Sequence, residues 1–126
     1  MMSTKPNMSD LLKNGESATI EFKSSFGRET IETLVAFANA SGGTVLVGVN
    51  DDAVPCGVTV AKETLNEWLG QIKSATSPTI IPEIENHYES GRTIVSIHIS
   101  EYPVKPVNTR GRYFKRVASS NQQLTF

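Results

Sequence analysis

Residues 16–23 read Glu16-Ser17-Ala18-Thr19-Ile20-Glu21-Phe22-Lys23, and residues 39–52 read Asn39-Ala40-Ser41-Gly42-Gly43-Thr44-Val45-Leu46-Val47-Gly48-Val49-Asn50-Asp51-Asp52. In the first stretch Ala18, Ile20 and Phe22 alternate with Thr19, Glu21 and Lys23, the period of two expected of a half-buried strand. Glu21 therefore leaves the strand on the side opposite Ile20 and Phe22. In the second stretch Ser41-Gly42-Gly43 closes a helix, because glycine enters the left-handed C-terminal cap conformation without steric cost. Thr44 to Val49 is apolar and β-branched enough for a buried strand, and Asn50-Asp51-Asp52 is a turn. Between the two stretches Ile31, Leu34, Val35, Phe37 and Ala38 recur at helical spacing, which predicts a helix over 29–40. Glu29 and Glu32 fall early in it, where negative charge complements the helix dipole.

The remaining elements follow outward from this βαβ start. Val54 to Val58 contains Pro55, which cannot donate to a sheet ladder, so a short edge segment is expected there. Leu65, Trp68, Leu69 and Ile72 mark a second helix over 61–74, ended by the conformational restriction that Pro78 imposes on Ser77. Residues 80–88 and 93–100 form a hairpin about Glu89-Ser90-Gly91-Arg92, and 112–117 is a last strand after the Pro103–Pro106 linker. The order is β-α-β-β-α-β-β-β. It predicts an α+β domain with a mixed, largely antiparallel sheet and two main helices. Residues 16–126 form this single domain. An arm, 1–15, precedes it, frayed over 1–7 and then turning through Leu11-Leu12-Lys13 under a cap from Ser9 or Asp10.

The chain has 126 residues, 38% of them apolar, enough for one modest core. Its apolar runs are strand-sized, well short of the roughly 20 residues that span a bilayer. Met1 to Lys13 has no signal-peptide pattern, so a cytoplasmic location and no membrane partner are expected. Cys56, the lone cysteine, is read as a small apolar core residue. His87 and His98 have no zinc-site spacing, and no G-x-x-x-x-G-K-[ST] pattern supports ATP hydrolysis. The Gly42-Gly43 turn follows a helix C-terminus, where the dipole repels anions, and is read as structural rather than phosphate-binding.

Charge is unevenly spread. Residues 1–103 carry seven Lys or Arg against all 13 acids, a net −6, whereas residues 104–126 hold five cations and no acid. Lys105, Arg110, Arg112, Lys115 and Arg116 are therefore candidate contacts to backbone phosphate, with Tyr113 or Phe114 in the core or against a base. The same pattern also fits a solvated strand face that balances the acidic body.

Glu16-Ser17 leading to Glu21-Phe22-Lys23, then Ala36 to Gly43, Val47 to Asp52, Gly57-Val58, Lys105-Pro106 and Tyr113 to Asn121, together resemble the Schlafen AlbA-like domain over about residues 16–121. The resemblance implies a mixed α+β, DNA-binding domain found at the N-terminus of bacterial transcriptional regulators and helicase-related proteins, a group once filed with divergent ATPases. Either a stand-alone version of the domain or, in preference, a piece of a longer regulator is thus expected. For RNA-cleaving animal Schlafen proteins the resemblance implies a carboxylate triad at the positions of Glu16, Glu21 and Asp51. Such a cluster is what Mg²⁺ or Mn²⁺ needs to activate water beside a phosphodiester, with Lys23 pairing the phosphate or neutralising Glu21. Three readings result: a nucleic-acid-binding module, DNA before RNA and without a cofactor; a divalent-metal-dependent endonuclease; and a homo-oligomerisation or protein-interaction module using an exposed strand edge. The first is preferred.

Overall fold

The computed structural model describes residues 7–125. The fray expected over 1–7 lies, apart from Asn7, outside them. The described chain starts with α1 (Met8–Asn14), capped by the Asn7 side chain accepting from the Asp10 amide at 2.8 Å, so Asn7 takes the capping place expected of Ser9 or Asp10. Met8, Leu11 and Leu12 of α1 pack against Phe22, Leu46, Val49 and Ile94, which ties this part of the arm to the domain.

Strand β1 (Ile20–Lys23) pairs in parallel with β2 (Gly43–Val47), and the two are joined through α2 (Arg28–Ala38). Helix α3 (Thr64–Ala75) follows, then β3 (Thr76–Ser77), β4 (Glu83–Glu89) and β5 (Arg92–Ile99). The first sheet has the order β1-β2-β5-β4, antiparallel except for its first pair. A second antiparallel sheet is made of β3, β6 (Asn108–Thr109), β7 (Arg112–Val117) and β8 (Ser120–Leu124), in the order β3-β6-β7-β8. The α+β class, the mixed sheet and the two main helices are as expected. The division into two sheets and the strand β8 are additional, because Ser120-Asn121-Gln122-Gln123-Leu124 has no apolar alternation to announce a strand. The segment at 54–58 forms only a single bridge, Val49 to Pro55.

Helix α2 runs between the sheets, and this placement organises the molecule. Eight of its 11 residues are buried, more than one amphipathic stripe would cover. Its side chains meet Val45, Val47, Val95 and Ile97 of the first sheet, and Val107 and Phe114 from the second-sheet side. Burial of side chains such as Leu34 and Phe37 contributes about 1.5–3 kcal/mol each. Phe26 stacks on Trp68, ring centroids 4.6 Å apart, and so joins the approach to α2 to α3.

The Asn39-to-Gly43 turn is structural, as expected. Asn39 is buried; its Nδ2 donates to the carbonyls of Val107 and Phe114 at 2.9 and 2.8 Å, and its Oδ1 accepts from the Val107 amide at 2.7 Å. One side chain thus fastens the end of α2 to the second sheet. Gly42 has φ of 80°, and its amide donates to the Phe37 carbonyl at 2.8 Å, ending the helix in the left-handed region. Cys56 departs from expectation: it is exposed, because the chain around it never enters a sheet. Among the described residues no helix is long and apolar enough to cross a membrane.

Candidate functional site

Strand β7 sends alternate side chains to opposite sides. Phe114 and Arg116 turn toward α2, whereas Tyr113, Lys115 and Val117 turn outward. Arg116 is 5% exposed, so it does not belong to the phosphate-contacting surface expected of it. Its Nη1 donates to Glu21 Oε1 at 2.7 Å and to Asn121 Oδ1 at 2.8 Å, and its Nη2 donates to the Ser17 and Ile20 carbonyls at 2.8 and 3.3 Å. The guanidinium carbon lies 5.0 Å from the centre of the Phe37 ring. Arg116 Nε is buried without a hydrogen-bond partner. A planar five-donor group can bridge strand, hairpin and loop in this way; a lysine could not.

The acids on the other side of this bridge are held equally firmly. Glu16 Oε2 accepts from the Phe22 amide at 2.9 Å, folding residues 16–19 back onto β1. A side-chain hydrogen bond joins Glu16 to Glu21, so two carboxyls face one guanidinium. Lys23 Nζ is 3.9 Å from Glu21 but 3.4 Å from Glu29, and is shared between them. Burial, followed by the hydrogen bond to Glu16, pushes the Glu21 carboxyl up to about 7, against the opposing pull of Arg116. Burial would also raise Glu16, but the Glu21 hydrogen bond, the Phe22 amide and the positive charges of Arg116 and Lys23 outweigh it and hold Glu16 below its usual value.

Asp51 stands apart. It lines a shallow depression of about 480 Å³ at the start of α2, together with Lys23, Ser25, Gly27 and Arg28. Glu16 and Glu21 are engaged with each other, and Glu21 is also engaged with Arg116. Among the described residues no three His, Cys, Asp or Glu side chains gather closely enough to hold a metal ion. The arrangement of Glu16, Glu21 and Asp51 does not fit a Mg²⁺ or Mn²⁺ ligand set.

The other basic candidates lie on or near the second sheet. Lys105, in the linker before β6, pairs with Glu101 at 2.6 Å. Arg110 and Gly111, with φ of 53° and 76°, make the two-residue turn between β6 and β7, and the Gly111 amide is held by Asn108 Oδ1 at 3.2 Å. Arg110, Arg112 and Lys115 are exposed, and among the described residues none of them has an ion pair or a side-chain hydrogen bond. Phe114 is in the core, and Tyr113 is half-buried on the outer face.

One polar residue that holds Arg116, Asn121, was not singled out individually in the sequence. Asn121 sits opposite Arg116 across the β7–β8 ladder and donates to Thr33 Oγ1 of α2 at 2.9 Å. The signal was present in the Arg116-to-Asn121 motif: a two-residue turn at Ala118-Ser119 pairs Val117 with Ser120, and Arg116 with Asn121 next.

The profile of the family described as Schlafen, AlbA_2 matches residues 16–125. No curated protein matches. The fold is similar to the solution structure of the N-terminal domain of a Nitrosomonas europaea protein described as related to the ATP-dependent DNA helicase RecG. The TM-score is 0.70 at 27% identity over 97% of this chain and 95% of that domain. It is also similar to the crystal structure of the DIP2311 protein from Corynebacterium diphtheriae, with a TM-score of 0.71 at 16% identity over 85% of this chain. The chain spans 22% of that second protein.

Proposed function

This chain belongs to the Schlafen AlbA_2 family, and we propose that it is a nucleic-acid-binding domain, for DNA in preference to RNA, serving a longer transcriptional regulator. One observation carries the reading: Arg110, Arg112 and Lys115 are exposed cations without an anionic partner among the described residues, on a part of the chain, 104–126, that has no acidic side chain. Unpaired surface arginine and lysine retain their full charge for an incoming phosphate, whereas a paired cation such as Lys105 must first give up its carboxylate. The helicase-related likeness supports a nucleic-acid role and the preference for DNA. Contacts of this kind position a backbone without reading sequence.

The test is binding of labelled DNA and RNA by the parent and by a variant with Arg110, Arg112 and Lys115 replaced by Ala. These side chains are exposed, so the variant should fold as the parent does, lose most of its affinity and show a flatter salt dependence. Equal binding by the two proteins would remove this surface from the reading. Incubation with Mn²⁺ or Mg²⁺ tests the endonuclease reading in the same samples. No cleavage is expected, and cleavage abolished by Glu21→Gln would replace binding by catalysis.

A further inference from the structure

We infer that the outer edge of β4 is a docking site for a second protein, whose extended basic segment adds to the first sheet as a further strand. Strand β4 ends that sheet, and its seven residues pair with β5 in unbroken register from Glu83–His98 to Glu89–Arg92, with no bulge and no proline. The two strands meet at Ser90-Gly91, with φ of 52° and 76°, a two-residue turn that makes Glu89 and Arg92 a hydrogen-bonded pair. Alternation then commits the backbone of Glu83, Glu85, His87 and Glu89 to β5 and turns the N–H and C=O groups of Ile84, Asn86 and Tyr88 outward. Among the described residues these outward groups have no hydrogen-bond partner. A row of unpaired backbone donors and acceptors of this length is a template for another strand.

The side chains select what pairs there. Glu83, Glu85 and Glu89 project from one face with His87, whose Nε2 is occupied by Ser96 Oγ at 2.8 Å. Glu83 and Glu85 are exposed, and none of the three acids has an ion pair among the described residues. Against an added antiparallel strand they fall at the non-hydrogen-bonded positions, where Cα atoms come within about 4.5 Å and opposing side chains lie closest. A second copy of β4 would bring the wrong charges. In a two-fold antiparallel pairing odd-numbered residues face odd-numbered ones, so that centring on Asn86 sets Glu83 against Glu89, and shifting by one sets Glu85 against itself; like charges so placed destabilise the pair. A strand with Lys or Arg at alternate positions meets the carboxylates instead. Its intervening residues lie on the face of Ile84 and Tyr88, and Tyr88, 77% exposed, offers them an uncovered ring. At the start of β4 a depression of about 280 Å³, lined by Ile81, Glu83, His98 and Tyr102 among others, leaves room for a long terminal side chain. The site shares no residue with the proposed nucleic-acid surface and does not rest on that reading.

The experiment measures, by fluorescence anisotropy, binding of a labelled peptide of alternating Lys and Val, as long as β4. The parent should bind it and not its alternating Glu and Val analogue. The double variant Glu83→Gln, Glu85→Gln changes exposed side chains only and should weaken binding about 2- to 30-fold, the effect of losing two cross-strand charge pairs. Methylating the Val nitrogens, which face β4 in the added strand, should abolish binding, whereas methylating the Lys nitrogens, which face away, should leave it intact. Hydrogen exchange at the amides of Ile84, Asn86 and Tyr88 should slow when the peptide saturates the protein. Equal binding of the two methylated peptides overturns the inference, because attraction by charge alone needs no strand. So do failure of the parent to bind, parent-like binding by the double variant and unchanged exchange at the three amides. A concentration-dependent dimer that protects these amides without peptide also overturns it, since a second copy would then cover the edge. The Arg110, Arg112 and Lys115 variant should bind the peptide as the parent does, so the two surfaces are judged separately.

Discussion

Arg116 and Glu21 exchange the roles their residue types suggest. In the sequence Arg116 belongs to a basic run and Glu21 to an acidic strand face, one fit for phosphate and the other for a metal. In the fold each is the other's partner at 2.7 Å, and their side chains are 1% and 13% exposed. Removing one member of a buried pair leaves the other charge without compensation. Arg116→Ala should therefore destabilise the domain by about 3–5 kcal/mol, measured by urea denaturation; a loss below about 1 kcal/mol would contradict a buried bridge. The acids make a separate prediction about pH. Glu21 is raised from its ordinary 4.5 to about 7, so between these values the folded chain holds a proton that the unfolded chain has released. Stability contributed by this group therefore falls as pH rises through that window and levels off above it. Glu16 is held below the same ordinary value, so its contribution has the opposite sign and is lost as pH falls. Glu21→Gln should abolish the decline in melting temperature between pH 4.5 and about 7, and parallel curves for variant and parent would refute the assignment.

At the scale of elements, legibility followed periodicity. Helix α2 and strand β7 were readable because Leu34, Val35 and Phe37, and Phe114 with its polar neighbours, repeat at 3.6 and 2 residues. Strand β8 was not, because its inward residue Asn121 is chosen for hydrogen bonds to Arg116 and Thr33, and such bonds leave no trace in hydrophobicity. The two-residue strands β3 and β6 are too short to carry any period. Arg116 was misplaced for a related reason: its inward direction depends on the register of β7, and its burial on Glu21, 95 residues away, and the Ser17 carbonyl, 99 residues away. The Gly-Gly turn was read correctly in role, but its two glycines do different things. Gly42 supplies positive φ, whereas Gly43 makes room, since a Cβ there would lie 2.7 Å from the Phe37 ring. Gly43→Ala must push Phe37 out of its rotamer and should cost about 1–3 kcal/mol by thermal or urea unfolding, with the salt slope of nucleic-acid binding unchanged. A stable Gly43→Ala variant that no longer binds would make the turn part of the site.

Over the whole molecule charge is sorted between the two sheets. Glu83 and Glu85 are exposed on the edge strand β4 of the first sheet, while Arg110, Arg112 and Lys115 are exposed on the second. The net charge of −1 thus conceals a polar molecule, which would turn its second sheet toward a polyanion and its first sheet away. The fold also limits how strong that attraction can be. With Arg116 enclosed and Lys105 paired to Glu101, three of the five cations in 104–126 remain for phosphate. Each neutralised phosphate contributes about −0.9 to the slope of log affinity against log salt on duplex DNA and about −0.7 on a single strand. Three contacts give slopes near −2.7 and −2.1, so binding should be weak at physiological salt and rise steeply as salt is lowered. Raising the pH through 7 ionises Glu21 in the interior and should leave the slope unchanged, because Glu21 is engaged with Arg116 and Lys23 and not with the three exposed cations. A single-strand slope near −3.5 or steeper would mean that Lys105 and Arg116 also reach phosphate, and that the Arg116–Glu21 bridge opens when the domain binds.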